Sequence, residues 1–127
     1  MRVRLAAAYH LEAHFGRDDL ICTHLSSRAP GREHHLLNNP YELMFEEITA
    51  STLVKIDTDE NKVCDRRYTV DQTGFFINSV LQMALPDAEA VMHLHTPCGQ
   101  AVTAMTEDLM PHAQTGMIVA HDLAYHD

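Results

Sequence analysis

The chain has 127 residues, of which 46% are hydrophobic, and carries a formal net charge of −9 at pH 7. This length suits one domain with its own hydrophobic core, and the composition excludes an intrinsically disordered protein. The acidic charge argues against a surface for nucleic acid or for an acidic membrane, and no apolar run approaches the length of a membrane span.

Cysteine usage predicts the compartment. The three cysteines, Cys22, Cys64 and Cys98, are odd in number and form no CxxC pair. This pattern favours a reducing environment over a disulfide framework, and the N-terminal segment has no signal-peptide pattern, so we expect a cytoplasmic protein.

The first predicted elements are a helix and a β-hairpin. Residues 3–15 combine good helix formers with an apolar stripe at helical spacing, and Gly16 ends the helix. Residues 20–28 change to a β pattern, and a turn over 29–31 leads into a second strand over 34–37.

The middle of the chain predicts one helical turn over 43–48, a strand over 52–56 and a strand that restarts at 62–64. Between the strands, Asp57, Asp59 and Asn61 occupy the first, third and fifth positions of a possible calcium loop. An EF-hand requires glycine at the sixth position, where Lys62 stands, so we interpret the segment as a hairpin turn.

A helix is predicted over 73–85, with Phe76, Val80 and either Met83 or Ala84 as its inward stripe. Pro86 ends it. A short strand over 89–95 then runs into a helix over 97–105, and a last apolar segment covers 117–120. Hairpin strands with helices between them predict an α/β fold, a three-layer α/β/α sandwich on a largely antiparallel sheet.

The sequence His93-Leu94-His95 at the end of that strand is the strongest chemical signal. Because side chains alternate along a strand, His93 and His95 point the same way. Thr96 is a good N-cap and Pro97 suits the first helical position, so the pair stands beside the positive end of a helix. This arrangement suits a divalent metal that meets an anionic ligand. The alternative is that these are two partly exposed histidines hydrogen-bonded to backbone groups. It stays open because two histidines are fewer than the three protein ligands that catalytic zinc needs.

Several phrases together resemble the class II aldolase/adducin N-terminal domain family, nearer its adducin-like branch. The phrases are residues 20–28, Asn39-Pro40-Tyr41, residues 47–55, Gly74-Phe75, His93-Leu94-His95-Thr96-Pro97 and Ala124-Tyr125-His126-Asp127. The resemblance implies a three-layer α/β/α domain, often tetrameric, with sites at subunit boundaries. It also implies a metal, zinc or alternatively manganese, held by three histidines, two of which correspond to His93 and His95.

The resemblance further assigns the substrate end of the site. It implies that Thr23, His24 and Ser26, with the N-terminus of the helix that begins at Gly74, bind the substrate phosphate, the backbone N–H groups acting as donors. The metal would act as a Lewis acid that stabilises the enediolate formed on C–C cleavage.

Three departures from the family pattern bear on activity. Gly74 stands where the aldolases place a catalytic glutamate, and the nearest acid is Asp71. Glu42 stands where adducin-like relatives often carry glycine; it would repel a phosphate if it pointed inward, and is otherwise a solvated loop charge. The third family histidine falls beyond residue 127, and the local substitutes are Cys98, His112, His121, His126 and His24.

We therefore expect residues 1–127 to form a single domain that is incomplete at its C-terminal end, with a sheet edge that another chain covers in a homo-oligomer. The first functional hypothesis is a metal-dependent class II aldolase-like lyase acting on a small hydroxy-carbonyl or sugar-phosphate substrate. The alternative is a non-catalytic adducin-type binding or oligomerisation module. Gly74 favours the module, whereas the intact pair of histidines favours the lyase.

Overall fold

A computed structural model describes residues 1–31, 35–59, 61–63 and 67–125. The chain forms two compact units, Met1–His95 and Thr96–Asp127. The elements of the first unit are α1 (Arg2–His14), β1 (His24–Arg28), β2 (His35–Asn38), a 3-10 turn (Phe45–Glu47), β3 (Val54–Asp57), α2 (Gln72–Ala84) and β4 (Ala90–His93). The second unit contains α3 (Pro97–Thr103) and α4 (Gln114–Val119).

The four strands form one antiparallel sheet in the order β3-β2-β1-β4. The predicted hairpin of β1 and β2 is confirmed, with Ser27 opposite Leu37. β4 pairs with the other side of β1 and places His93 opposite His24. The α/β class with an antiparallel sheet is therefore confirmed, and the sheet brings two histidines that are far apart in sequence side by side.

Alternating residues of the sheet enter two separate clusters. Leu25 and Leu37 join Leu5 and Tyr9 of α1 in the larger cluster. Leu36, Val54 and Ile56 pack with Phe75 of α2 in the smaller one. Because successive side chains of a strand point to opposite faces, α1 and α2 cover opposite faces of the sheet.

Helix α1 is fixed to β1 by one buried side chain. The Tyr9 hydroxyl donates to the Leu25 carbonyl and lies 3.0 Å from Asn39 Oδ1, and it also accepts from the Leu25 N–H at 3.2 Å. Burial of the ring raises the pKa of Tyr9. The helix ends as predicted, since Gly16 adopts a φ of +61°, which glycine reaches without steric cost.

Some predicted boundaries differ from the structure. β1 begins at His24 rather than at residue 20, because residues 20–22 form a turn. The strand predicted at 62–64 is reduced to an isolated bridge between Ile56 and Lys62, and Cys64 lies outside the described residues. The turn before it is a hairpin turn as predicted, closed by Asp57 Oδ1, which accepts from the N–H groups of Asp59 and Asn61.

The predicted inward stripe of α2 is wrong. Phe76 is 69% exposed and Met83 53% exposed, and Val80 and Ala84 also lie at the surface. The buried face consists instead of Gly74, Phe75, Asn78, Ser79 and Gln82. The helix therefore turns mostly polar side chains towards the sheet and apolar ones away from it.

The second unit begins as predicted. Thr96 is the N-cap of α3, its hydroxyl accepting from the Gly99 N–H at 3.1 Å, and Pro97 occupies the first turn. α4 covers most of the predicted apolar segment. Within the described ranges, no helix has the length and apolar character needed to cross a membrane.

Candidate metal and substrate site

The two predicted metal-binding histidines meet at the end of β4. His93 is the last residue of the strand and His95 follows two positions later. Their Nε2 atoms are joined by a 2.8 Å hydrogen bond, so one of the two carries a proton, and the ring planes are nearly perpendicular, at 81°. Both side chains are partly buried. The structure thus brings together the two ring nitrogens that a shared cation would need.

Asp19 positions His95 from the other side of the ring. Asp19 Oδ2 lies 2.9 Å from His95 Nδ1. A carboxylate accepts, so Nδ1 carries a proton, and Nε2 is left as the acceptor of the hydrogen bond from His93 Nε2. A carboxylate bonded to the non-coordinating nitrogen is the usual partner of a metal-bound histidine, because it fixes the tautomer and the ring orientation.

A tight turn holds Asp19 in place. The Asp19 carbonyl accepts from the Cys22 N–H at 2.8 Å, and Leu20 within the turn adopts a φ of +49°, which is uncommon for a residue other than glycine. Thr23 is fully buried, and its hydroxyl accepts from the Asp19 N–H at 3.3 Å. Thr23, predicted to contact substrate, therefore supports the backbone of the carboxylate that holds His95.

His24 stacks on His93. The ring centroids lie 4.8 Å apart and the ring planes differ by 15°. On its other side, His24 Nδ1 lies 3.1 Å from Asn78 Nδ2 in α2. Burial, and after it the neighbouring His93, lower the pKa of His24 to about 4. Burial likewise lowers the pKa of His93, assisted by His95. Neutral rings of this kind keep the lone pairs that metal coordination requires.

Gly74 packs directly against this group. A Cβ atom at position 74 would lie 2.7 Å from His24 Cδ2 and 2.9 Å from its Cγ. The Gly74 N–H, predicted to face the substrate, donates to Asp71 Oδ2 at 2.8 Å. Asp71 is the N-cap of α2 and also accepts from the Thr73 N–H. A substrate anion at this helix end would therefore have to compete with the Asp71 carboxylate.

Ser26, also predicted to bind substrate, is fully buried two residues beyond His24 on the same face of β1.

Glu42 lies at the surface and accepts from the Thr69 hydroxyl at 2.6 Å. Its carboxylate is therefore a bonded surface group, which matches the solvated-charge alternative.

Of the substitutes for a third ligand, His24 lies in the first unit, beside the pair. Cys98, His112 and His121 are exposed residues of the second unit, and His126 lies outside the described residues. Within residues 1–31, 35–59, 61–63 and 67–125, no three His, Cys, Asp or Glu side chains are placed to hold one metal ion. His93 and His95 offer a divalent cation two ligands, one fewer than the three protein ligands of catalytic zinc.

Two residues of the site were missed by sequence reasoning. Asp19 lies in a loop 76 residues before His95, and Asn78 lies 54 residues beyond His24. Neither belongs to a spacing pattern, and only the pairing of β1 with β4 and the packing of α2 bring them into the group.

Comparison with known proteins gives a consistent result. Residues 3–127 match the family profile described as Class II Aldolase and Adducin N-terminal domain. The chain is 51% identical over 126 residues to a Caulobacter vibrioides protein named "Putative aldolase class 2 protein", covering 99% of this chain and 49% of that protein. It is 39% identical over 130 residues to mouse alpha-adducin, covering all of this chain and 17% of that protein.

Solved structures agree in fold. An aldolase II superfamily protein from Pseudomonas syringae superposes with a TM-score of 0.94 at 43% identity, over 98% of this chain and 51% of that one. An L-fuculose 1-phosphate aldolase from Glaciozyma antarctica superposes with a TM-score of 0.88 at 28% identity, over 94% of this chain and 49% of that one. The chain thus spans about half the length of the bacterial relative and of these two structures.

Proposed function

This chain belongs to the class II aldolase and adducin N-terminal domain family, and we propose that it supplies the metal-binding half of a class II aldolase-like lyase site. The substrate would be a small hydroxy-carbonyl compound or a sugar phosphate. The complete domain would be a three-layer α/β/α sandwich that works as a homo-oligomer. The convergence of His93 Nε2 and His95 Nε2 to 2.8 Å carries the proposal.

The residues have separate tasks in this proposal. His93 and His95 would hold zinc or manganese, with a further ligand from outside the described residues. When bound, such a cation acts as a Lewis acid on the substrate oxygens. Asp19 keeps the proton of His95 on Nδ1, which leaves Nε2 to coordinate. His24 gives the site a neutral wall beside His93.

Metal binding is the direct test. Isothermal titration of the apo chain with zinc should show one site in the wild type, loss of that site in His93→Ala, and an unchanged site in His14→Ala. His14 is an exposed histidine at the end of α1 and serves as the matched control. Equal zinc affinity in the wild type and in His93→Ala would refute the site.

Chemistry is tested separately, on the complete protein. A retro-aldol assay over a panel of hydroxy-aldehyde phosphates should give activity that His93→Ala abolishes. Activity that survives His93→Ala would exclude a mechanism that depends on this pair.

A second candidate is a non-catalytic adducin-type module, and one observation favours it. A side chain at position 74 would collide with His24, because even a Cβ would lie 2.7 Å from that ring. The catalytic glutamate of the aldolases therefore has no room here while His24 keeps its place. Oligomers on gel filtration, with zinc binding but no retro-aldol activity in the complete protein, would support the module, and turnover would exclude it.

A further inference from the structure

The interface between β1 and α2 is polar on both sides. Side chains alternate along β1, so His24, Ser26 and Arg28 lie on the face opposite to Leu25. From α2, Asn78 and Gln82 face this surface, and each is at most 1% exposed. A hydrophobic core would normally occupy such a position between a sheet and a helix.

The helix and the strand run in the same direction. At the middle of α2, Asn78 Nδ2 lies 3.1 Å from His24 Nδ1. Near its end, the carbonyls of Gln82 and Leu85 accept from the Arg28 guanidinium. Ser26 lies between these two contacts along β1, and the strand register places Asn38 of β2 directly opposite it.

We call Ser26, Asn38, Asn78 and Gln82 the polar layer. Within the described part of the chain, Ser26 Oγ, Asn38 Oδ1, Asn78 Oδ1 and both amide atoms of Gln82 are buried without a hydrogen-bond partner. A buried polar group left without a partner destabilises the folded state. Five such atoms would offset a large part of the small net stability of a domain.

We propose that the polar layer is a binding site for ordered water molecules, which bridge these side chains. The layer presents acceptors at Asn38 and Asn78, a hydroxyl at Ser26, and one donor and one acceptor at Gln82. Water suits this mixture because it donates and accepts, and buried waters make about two to four hydrogen bonds to polar groups of this kind.

An entry route lies at the Arg28 end. Arg28 and Gln82, together with Ser79 and Leu36, line a cavity of about 850 Å³. Waters of the polar layer would exchange through this cavity. The bridging waters would fix the Asn78 amide, whose Nδ2 contacts His24, and so make Asn78 a positioning residue for that ring. The proposal does not depend on metal binding or on lyase activity.

Magnetic relaxation dispersion of water, with ¹⁷O or ²H detection, counts long-lived internal waters and is the test. Gln82→Met removes both unpartnered amide atoms at similar volume, and Gln72→Met makes the same change at an exposed position of the same helix. The wild type and Gln72→Met should show the same number of long-lived waters, and Gln82→Met should lose at least one. An equal count in all three proteins would overturn the proposal.

Ser26→Ala gives a second variant if Gln82→Met does not fold, because it deletes a single hydroxyl. It should also lose at least one long-lived water. NMR provides an independent readout: the Asn78 side-chain amide protons should show cross-peaks to water in the wild type. Direct hydrogen bonds among the Asn38, Asn78 and Gln82 amides, without water, would refute a hydrated layer.

Discussion

Gly74→Ala tests how closely α2 approaches His24. The new Cβ would lie 2.7 Å from His24 Cδ2, a distance that forces the ring to move. The ring cannot move freely, because it is bonded to Asn78 on one side and stacked on His93 on the other. Overpacking of this kind costs about 1–3 kcal/mol.

The helix propensity of alanine changes the free energy of unfolding in the opposite direction. Alanine is favoured over glycine within a helix by about 0.5–1 kcal/mol. In the wild type we therefore expect Gly74→Ala to lower the free energy of unfolding by up to about 2.5 kcal/mol, the overpacking cost less the helix gain. In a His24→Ala background the clash with the ring is absent and only the 3.1 Å approach to Asp71 Oδ2 remains, so the same substitution should raise the free energy of unfolding by up to about 1 kcal/mol.

The measurement is a double-mutant cycle by urea denaturation, followed by far-UV circular dichroism because the chain has no tryptophan. The coupling between Gly74→Ala and His24→Ala should be about 1–3 kcal/mol. Thr73→Ala, an exposed neighbour in the same turn, should show no coupling with His24→Ala. Additivity of the Gly74 and His24 variants within about 0.5 kcal/mol would refute the reasoning.

Two further predictions concern the histidines. Asp19→Asn should weaken zinc binding about 10- to 100-fold in a calorimetric titration, because the carboxylate bonded to His95 Nδ1 is lost. Asp18→Asn, the control, should leave the zinc affinity unchanged. Folding stability should fall as the pH drops from 6.5 towards 4, since His24 has a pKa of about 4 in the folded chain and 6.5 as its ordinary value, so that the unfolded chain binds the proton first. A pH series of melting temperatures should show this slope, reduced in His24→Gln, and an unchanged slope in that variant would contradict the assignment.

Local sequence signals predicted the elements well. The Thr96-Pro97 cap, the stop at Gly16 and the turn between β1 and β2 are decided by residues next to one another, and all three are present. The contact of His93 with His95 also follows from neighbouring positions. Asp19 could not be predicted in the same way, because it lies 76 residues before His95 and reaches it only through the pairing of β1 with β4.

The error at α2 has a physical cause that concerns the site itself. Periodicity identifies the apolar side of a helix but not the surface that this side meets, and here the sheet face under α2 carries His24 and Arg28. A helix that turned Phe76 and Val80 towards the sheet would take Asn78 away from His24 Nδ1 and leave that buried ring nitrogen without a partner, which is unfavourable. The polar face of α2 therefore packs against the histidine site, and its apolar face points away from the sheet. The sequence of α2 shows an apolar face and a polar face. Once the sheet is known, it is the polar face that packs against the candidate site.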